Sequence, residues 1–357
     1  MPNELPLNEL HRADGAIFEE REGWLLPSRY GDPAAEHRAV MTGVGLGDRS
    51  MVGKVTVSGR DRAAFLQGML SNDIKAHQPG QGCPAAFLDA HGKVVSLLTA
   101  FVLEDRILLE LPTGSTEKFL QAIDRFLISE KAYFEASDGA YVVLAVQGPA
   151  AERMLEGLSG ARFDAAPYSH QEVTMAGAPV RLVRKADGVT PGFECWTAAG
   201  HGAALWRTLR VAGAVPVGTE AAEVLRLEAG IPSFGHDVDD SVILPETRLD
   251  HFVSYTKGCY IGQETVARVK YRGHINRGLS GLLLDGDRVP ASGDPILAEG
   301  KEVGRVTSAV RSLALGRPIA LGYVRREHFE PGSAVTVEMD GSPGSARVAE
   351  LPFVKPA

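Results

Sequence analysis

Val224-Leu225-Arg226-Leu227-Glu228-Ala229-Gly230-Ile231-Pro232, then Gly235-His236-Asp237, Leu244-Pro245-Glu246 and Lys257-Gly258-Cys259-Tyr260-Ile261-Gly262-Gln263-Glu264, form the most patterned stretch of this 357-residue sequence. Arg226 carries a planar guanidinium fork that suits a carboxylate or a ring oxygen. A salt bridge to Glu223 or Glu228 is its structural alternative. Cys259 stands two residues from Lys257 and between flanking glycines. An electropositive setting of that kind lowers a thiol below the ~8.5 of a free cysteine, whereas a buried cysteine acts as a small apolar side chain. His236, Asp237 and His251 are metal-ligating residue types, but no second His or Cys stands at a recognised ligand spacing, so no metal site is expected.

Upstream of that stretch two segments share a pattern. Val55-Thr56-Val57-Ser58-Gly59 leads into Arg60-Asp61-Arg62-Ala63-Ala64-Phe65-Leu66, and Leu144-Ala145-Val146-Gln147-Gly148 leads into Pro149-Ala150-Ala151-Glu152-Arg153-Met154-Leu155. Each reads as strand, glycine turn and helix: β-branched alternation, a glycine at a sharp turn, then apolar residues at helical spacing. Ser58 is a candidate cap for the first helix, and Pro149 sits where a first helical residue tolerates a missing N–H. Coincidence and internal duplication both account for the likeness, since such units are common. Residues 86–88, 94–103 and 106–111 predict an antiparallel meander, with a helix over 117–128 lying across it. Strands at 180–183 and 192–196 and a helix over 203–211 extend the second unit.

From about residue 279 the texture changes to short apolar runs broken by Gly, Asp and Pro, which suggests a small all-β barrel or sandwich. Residues 268–277, rich in Gly and basic side chains, read as the loop connecting it to the rest. Gly43-Val44-Gly45-Leu46-Gly47 is not a dinucleotide fingerprint, because the third glycine of that motif falls on Asp48. The length calls for two or more cores. With 44% hydrophobic and 23% charged residues the composition is that of a soluble globular protein, and no apolar run reaches the ~20 residues of a membrane span. Met1-Pro2-Asn3-Glu4-Leu5-Pro6 shows no secretory pattern, so a cytoplasmic location is expected. A net charge of -8 argues against direct nucleic-acid binding, which rests on many Lys and Arg contacts. Cys83, Cys195 and Cys259 are widely spaced, with no disulfide framework among them.

The order R-x-E-x-G-x-P, G-x-D, P-E and K-G-x-x-x-G-Q-E resembles the folate-binding core of the glycine-cleavage T-protein (aminomethyltransferase) superfamily. Asp48-Arg49-Ser50, Val57-x-Gly59, Phe65-Leu66-Gln67 and Ser71-Asn72-Asp73 fall in that superfamily's order too, so the resemblance runs from about Gly43 to the end. It implies an α+β fold, a T-protein-like folate-binding body of two related α+β lobes over residues 1–278, plus a C-terminal β-barrel over 279–357. Within the superfamily, aminomethyltransferases carry G-G-x-x-D-D in the meander, whose aspartate handles protons beside folate N5 and N10. Here His91-Gly92-Lys93-Val94-Val95-Ser96 replaces the acidic pair by Val95-Ser96. The octapeptide from Lys257 to Glu264 is similar to the hallmark of the YgfZ-like branch.

That branch implies a tetrahydrofolate-binding protein supporting iron-sulfur cluster assembly or repair and, indirectly, tRNA modification. Its partners would be iron-sulfur enzymes or assembly proteins, and the bound ligand tetrahydrofolate or a one-carbon derivative. A folate-dependent aminomethyltransferase and a non-catalytic folate-binding scaffold are the alternatives. Residue by residue, the resemblance assigns Glu194 to the pterin's donor edge and Arg226 to the folate's vicinity. Cys259 is the candidate reactive thiol facing the pocket, with Lys257 supporting it; Asn72 and Asp73 either point into the pocket or cap a turn. Arg268, Lys270, Arg272 and Arg277 form a basic run suited to a polyglutamate tail, a partner, or only solvent. The sequence leaves the oligomeric state open, with a monomer plausible because an intact three-part fold needs no partner to close its core.

Overall fold

The computed structural model describes residues 1–186 and 188–355. In the first lobe a six-stranded sheet runs in the order His170–Met175, Ala178–Lys185, Gly192–Ala198, Tyr141–Gln147, Gly45–Asp48, Val215–Pro216. Helices Ala151–Ser159 and Gly202–Val211 cover it, and Leu46, Leu144, Leu182, Phe193 and Trp206 fill the core between. The second lobe is a five-stranded sheet in the order Gly82–Leu88, Val94–Val102, Ile107–Leu111, Gly53–Ser58, Tyr133–Ala136. The predicted meander is its first three strands, joined antiparallel. Helix Thr116–Asp124 lies across it through Phe119 and Ile123. It stops short of the predicted end, and Ile128 is exposed.

The two strand–glycine–helix segments have a common geometric cause. Gly59 has φ +93° and Gly148 φ +134°, and a Cβ on them would lie 2.1 Å from the Lys131 carbonyl oxygen and 2.2 Å from that of Gly43, respectively. Only glycine fits a turn so close to backbone. The expected caps are corrected. Helix Arg62–Met69 follows Asp61 rather than Ser58, and helix Ala151–Ser159 follows Ala150, which leaves Pro149 outside it.

Residues 268–277 are a loop only in part. Helix Gln263–Arg272 occupies the first half of them, entered through Gly262 at φ +80° and anchored by buried Val266, and only 273–276 connect it to the barrel. Its basic residues are partly paired: Arg268 bonds Glu264 at 2.6 Å, Lys270 lies over the Tyr255 ring, and Arg277 reaches Glu246 at 3.2 Å. The helical spacing of Val266 and Val269 was hidden by the glycine and cations that follow.

Beyond it a closed six-stranded barrel runs Arg277–Leu284, Pro318–Arg325, Lys301–Arg311, Pro295–Ala298, Ala334–Met339, Ser342–Ala349. Two buried carboxylates fasten it to the body. Glu228, at the end of helix Thr219–Glu228, accepts from His37 Nε2 at 2.7 Å, Ser312 Oγ at 2.6 Å and the Ala314 amide at 2.9 Å. Asp237 accepts from Arg226, the Ser233 amide and the Thr307 hydroxyl, while the Tyr323 hydroxyl donates to its carbonyl. Among the described residues no helix is long and apolar enough to cross a membrane.

One buried histidine makes stability pH-dependent. His170, 6% exposed, stacks edge-on to Phe101 and receives a hydrogen bond from Arg181 Nη1 at 3.1 Å. Burial first, and Arg181 second, push its pKa from 6.5 to about 4. The unfolded chain therefore binds the extra proton first, and stability falls as pH drops from 6.5 to about 4. Denaturant titrations across that window are expected to show this slope in the wild type, and a flatter one in His170→Gln.

Candidate functional site

Where the two lobes face each other they enclose a cavity of about 470 Å³, a size that suits a cofactor or drug-sized ligand. Leu97, Leu98, Met51 and Phe193 supply apolar wall, and Arg49, Glu110, Lys185, Glu194 and Arg226 supply charge. Glu194 lies in the middle of strand Gly192–Ala198, opposite Ala145 and Val183 of the neighbouring strands. It is 1% exposed, a depth at which an acidic side chain must be partnered. Its partners are Arg49 Nε at 2.9 Å, the Trp196 indole N–H at 3.0 Å and, farther off, Lys185 Nζ at 3.6 Å.

Glu110 arrives from the other lobe. It stands in the otherwise apolar strand Ile107–Leu111 and accepts from Arg49 Nη2 at 2.7 Å and Lys185 Nζ at 2.9 Å. Two carboxylates and two cations thus meet in one cluster on the cavity wall. Burial works against the Glu110 charge, but Lys185 and Arg49 outweigh it and hold its pKa below the usual carboxylate range. Burial and the Glu110 charge raise that of Glu194. Burial alone would discharge Lys185, yet the carboxylates of Glu110 and Glu194 keep its ammonium above its ordinary value.

Of the six candidate site residues named from the sequence, Glu194 and Arg226 line this cavity, and Asn72, Asp73, Lys257 and Cys259 do not. Arg226 uses its fork internally. Nε and Nη2 bind the Glu223 carboxylate at 2.9 and 2.6 Å, and Nη1 bonds Asp237 at 2.9 Å and the Ile231 carbonyl at 2.5 Å. It shapes the wall and keeps little donor capacity for a ligand.

Asn72 and Asp73 are corrected to a structural position. Asn72 Nδ2 donates to the carbonyls of Pro84 and His251, and Asp73 accepts from the Ala76 amide and Gln67. Asn72 lines a second, more open hollow with His77, Cys83 and His251. Lys257 does not support Cys259. Its ammonium is turned inward and donates to the carbonyls of Gln67, Leu70 and Asn72 at 2.6, 2.5 and 2.9 Å, tying down the segment after helix Arg62–Met69. Burial lowers its pKa to about 8, against the pull of Asp73 and Cys83. Cys259 is exposed and lies outside the cavity lining, so the expected pocket-facing thiol is instead a surface one. Val95 packs against the second lobe's core, and the buried Ser96 hydroxyl donates to the Leu97 carbonyl, so neither lines the cavity.

Arg49, Glu110 and Lys185 were missed as site residues. Arg49 sits inside the quoted Asp48-Arg49-Ser50, and a lone acid within Ile107-Leu108-Leu109-Glu110-Leu111 is the signal that could have found Glu110. Lys185 ends a strand, where a lysine is ordinary, and carries no such signal.

Residues 7–257 match the family described as the GCVT N-terminal domain, and residues 277–355 the glycine cleavage T-protein C-terminal barrel domain. A protein described as aminomethyltransferase from Streptomyces avermitilis is 34% identical, over 99% of this chain and 98% of its own. Another of that description, from Streptomyces coelicolor, is 33% identical over 98% and 96%. The crystal structure of glycine cleavage system aminomethyltransferase T from Bartonella henselae superposes with a TM-score of 0.91 at 25% identity, covering 99% of both chains.

Proposed function

From the premise that the chain belongs to the glycine-cleavage T-protein superfamily, we propose that it binds a reduced folate in the inter-lobe cavity and acts there on a one-carbon unit, in a reaction of the aminomethyltransferase type. The observation that carries this reading is the buried carboxylate of Glu194 in a cavity with apolar walls. A carboxylate has about four lone-pair sites. Trp196 takes one on Oε2 and Arg49 faces Oε1, so both oxygens keep capacity for the ring N–H and amino group of a pterin edge. The residues present therefore fit the ligand. When bound, tetrahydrofolate supplies the nitrogens that carry the one-carbon unit. The chain's own part is to hold the pterin edge at Glu194, to flank the ring with Leu97, Leu98 and Phe193, and to exclude water.

A second reading is favoured by two observations. No carboxylate stands at Val95-Ser96, and the YgfZ-like octapeptide places Cys259 at the surface, where a partner protein can reach it. On this reading the protein binds tetrahydrofolate in the cytoplasm as a monomer and serves iron-sulfur enzymes or assembly proteins, with tRNA modification affected indirectly. One experiment separates the two: calorimetric titration of tetrahydrofolate into wild type and Glu194→Ala, with an assay of aminomethyl transfer from loaded H-protein. Hydrogen bonds to a charged acceptor contribute about 1.5–3 kcal/mol each, so Glu194→Ala is expected to weaken binding roughly 10- to 100-fold. Transfer by the wild type supports the enzyme. Binding without transfer favours the second reading, and no binding rejects both.

A further inference from the structure

The cluster on the cavity wall is lopsided. Glu110 receives the Arg49 guanidinium at 2.7 Å and the Lys185 ammonium at 2.9 Å, one on each oxygen. Glu194 has Arg49 Nε at 2.9 Å, but Lys185 only at 3.6 Å, and its second oxygen faces the neutral indole of Trp196. Two like charges in one buried site cannot both be held at full strength, and the carboxylate with the poorer cationic partners takes the proton. We propose that Arg49, Lys185, Glu110 and Glu194 act as one unit, in which Glu110 is the permanent anion and Glu194 the proton-holding residue of the cavity.

Proton affinities run the same way. Burial and the Glu110 charge raise Glu194, while Lys185 and Arg49 hold Glu110 down. The surroundings add little else. At the level of Glu194 the adjacent strands present Ala145 and, beyond it, Gly47, and the neighbouring thiol of Cys195 is pushed up by burial. Lys54 also interacts with Glu194, and its charge is weakened by its own burial.

When the N–H and amino groups of a pterin edge arrive as donors, the Glu194 O–H bond breaks and the proton passes to solvent water. The carboxylate left behind is neutralised by Arg49 and Lys185, and the reverse transfer restores the acid. Only this last step rests on the folate reading.

The test uses the indole that touches the acid, in the protein without ligand. Trp196 is 3% exposed and donates directly to Glu194, so its fluorescence reports that proton. A pH titration of wild type is expected to show a step with its midpoint above 4.5, the ordinary value for a glutamate. The step is expected to vanish in Glu194→Gln and in Trp196→Phe, and to move down by about one pH unit or more in Glu110→Gln, where both cations turn to Glu194. Any step from Trp206, which stacks on His11 at 4.6 Å, remains in all variants and is subtracted. Infrared difference spectra across the same step must show loss of a protonated carboxyl band in the wild type that is absent from Glu194→Gln, because the other carboxyl groups titrate alike in both. A missing step, one that survives in Glu194→Gln, one unmoved by Glu110→Gln, or a missing carboxyl band overturns the proposal. Failure of folate to bind leaves these readings intact and counts against the proposed function alone.

Discussion

Glu228→Ala is expected to lower the stability of the protein by about 3–5 kcal/mol, the range for removing one member of a buried, hydrogen-bonded charge network. Glu228 is fully buried and joins three parts of the chain. His37 comes from helix Pro33–Thr42, Glu228 from helix Thr219–Glu228, and Ser312 and the Ala314 amide follow barrel strand Lys301–Arg311. Truncation strands an imidazole, a hydroxyl and a backbone N–H in a place without solvent, and each unmade bond costs about 1–3 kcal/mol. Urea denaturation measures the loss, and Glu228→Gln, which keeps an acceptor oxygen, is expected to recover part of it. A loss under about 1 kcal/mol for the alanine variant would mean that water satisfies all three donors and that the barrel is held chiefly by apolar contact.

Gly148→Ala is the second large effect. At φ +134° the backbone lies where a side chain is strained whatever the space, and the new Cβ would meet the Gly43 carbonyl oxygen at 2.2 Å and that of Val40 at 2.9 Å. Both obstacles are backbone, so neither yields by changing rotamer. The Gly148 amide also donates to the Pro191 carbonyl at 2.9 Å, just before the strand that carries Glu194. Relief of the clash must therefore displace the strand end beneath the cavity. We expect a loss above about 3 kcal/mol, or failure to accumulate folded protein, with folate binding weakened in whatever folds. Gly160→Ala is the control: φ is +70° with nothing within 4 Å of the added Cβ, and the expected cost is about 1 kcal/mol. Similar losses for the two variants would show that φ alone matters and that the close approach to Gly43 does not.

The elements were legible wherever a local period was strong. The meander strands, helix Gly202–Val211 and the barrel strands all alternate or repeat within a few residues, so their burial follows from neighbours in sequence. Helix Gln263–Arg272 escaped because cations and glycine outweighed a weak apolar stripe with one buried residue, Val266. At the site Glu194 was legible only through the superfamily resemblance, whereas Lys257 and Cys259, two residues apart, were read together and part company in the fold. One turns inward to three carbonyls and the other outward to solvent.

Taken by itself, the sequence determined the superfamily, the lobes-plus-barrel fold and the turn glycines Gly59 and Gly148, because each is written in spacing or in a short motif, and the resemblance pointed to the acid at 194. Only the tertiary structure decided which charges meet. Arg49, Glu110, Lys185 and Glu194 come from four separate segments, and Arg226 closes on Asp237 and Glu223 rather than on the cavity. Charge pairing is strong inside a protein because burial removes the competing water, and burial at a point depends on every element packed around it. No window of neighbouring residues carries that information.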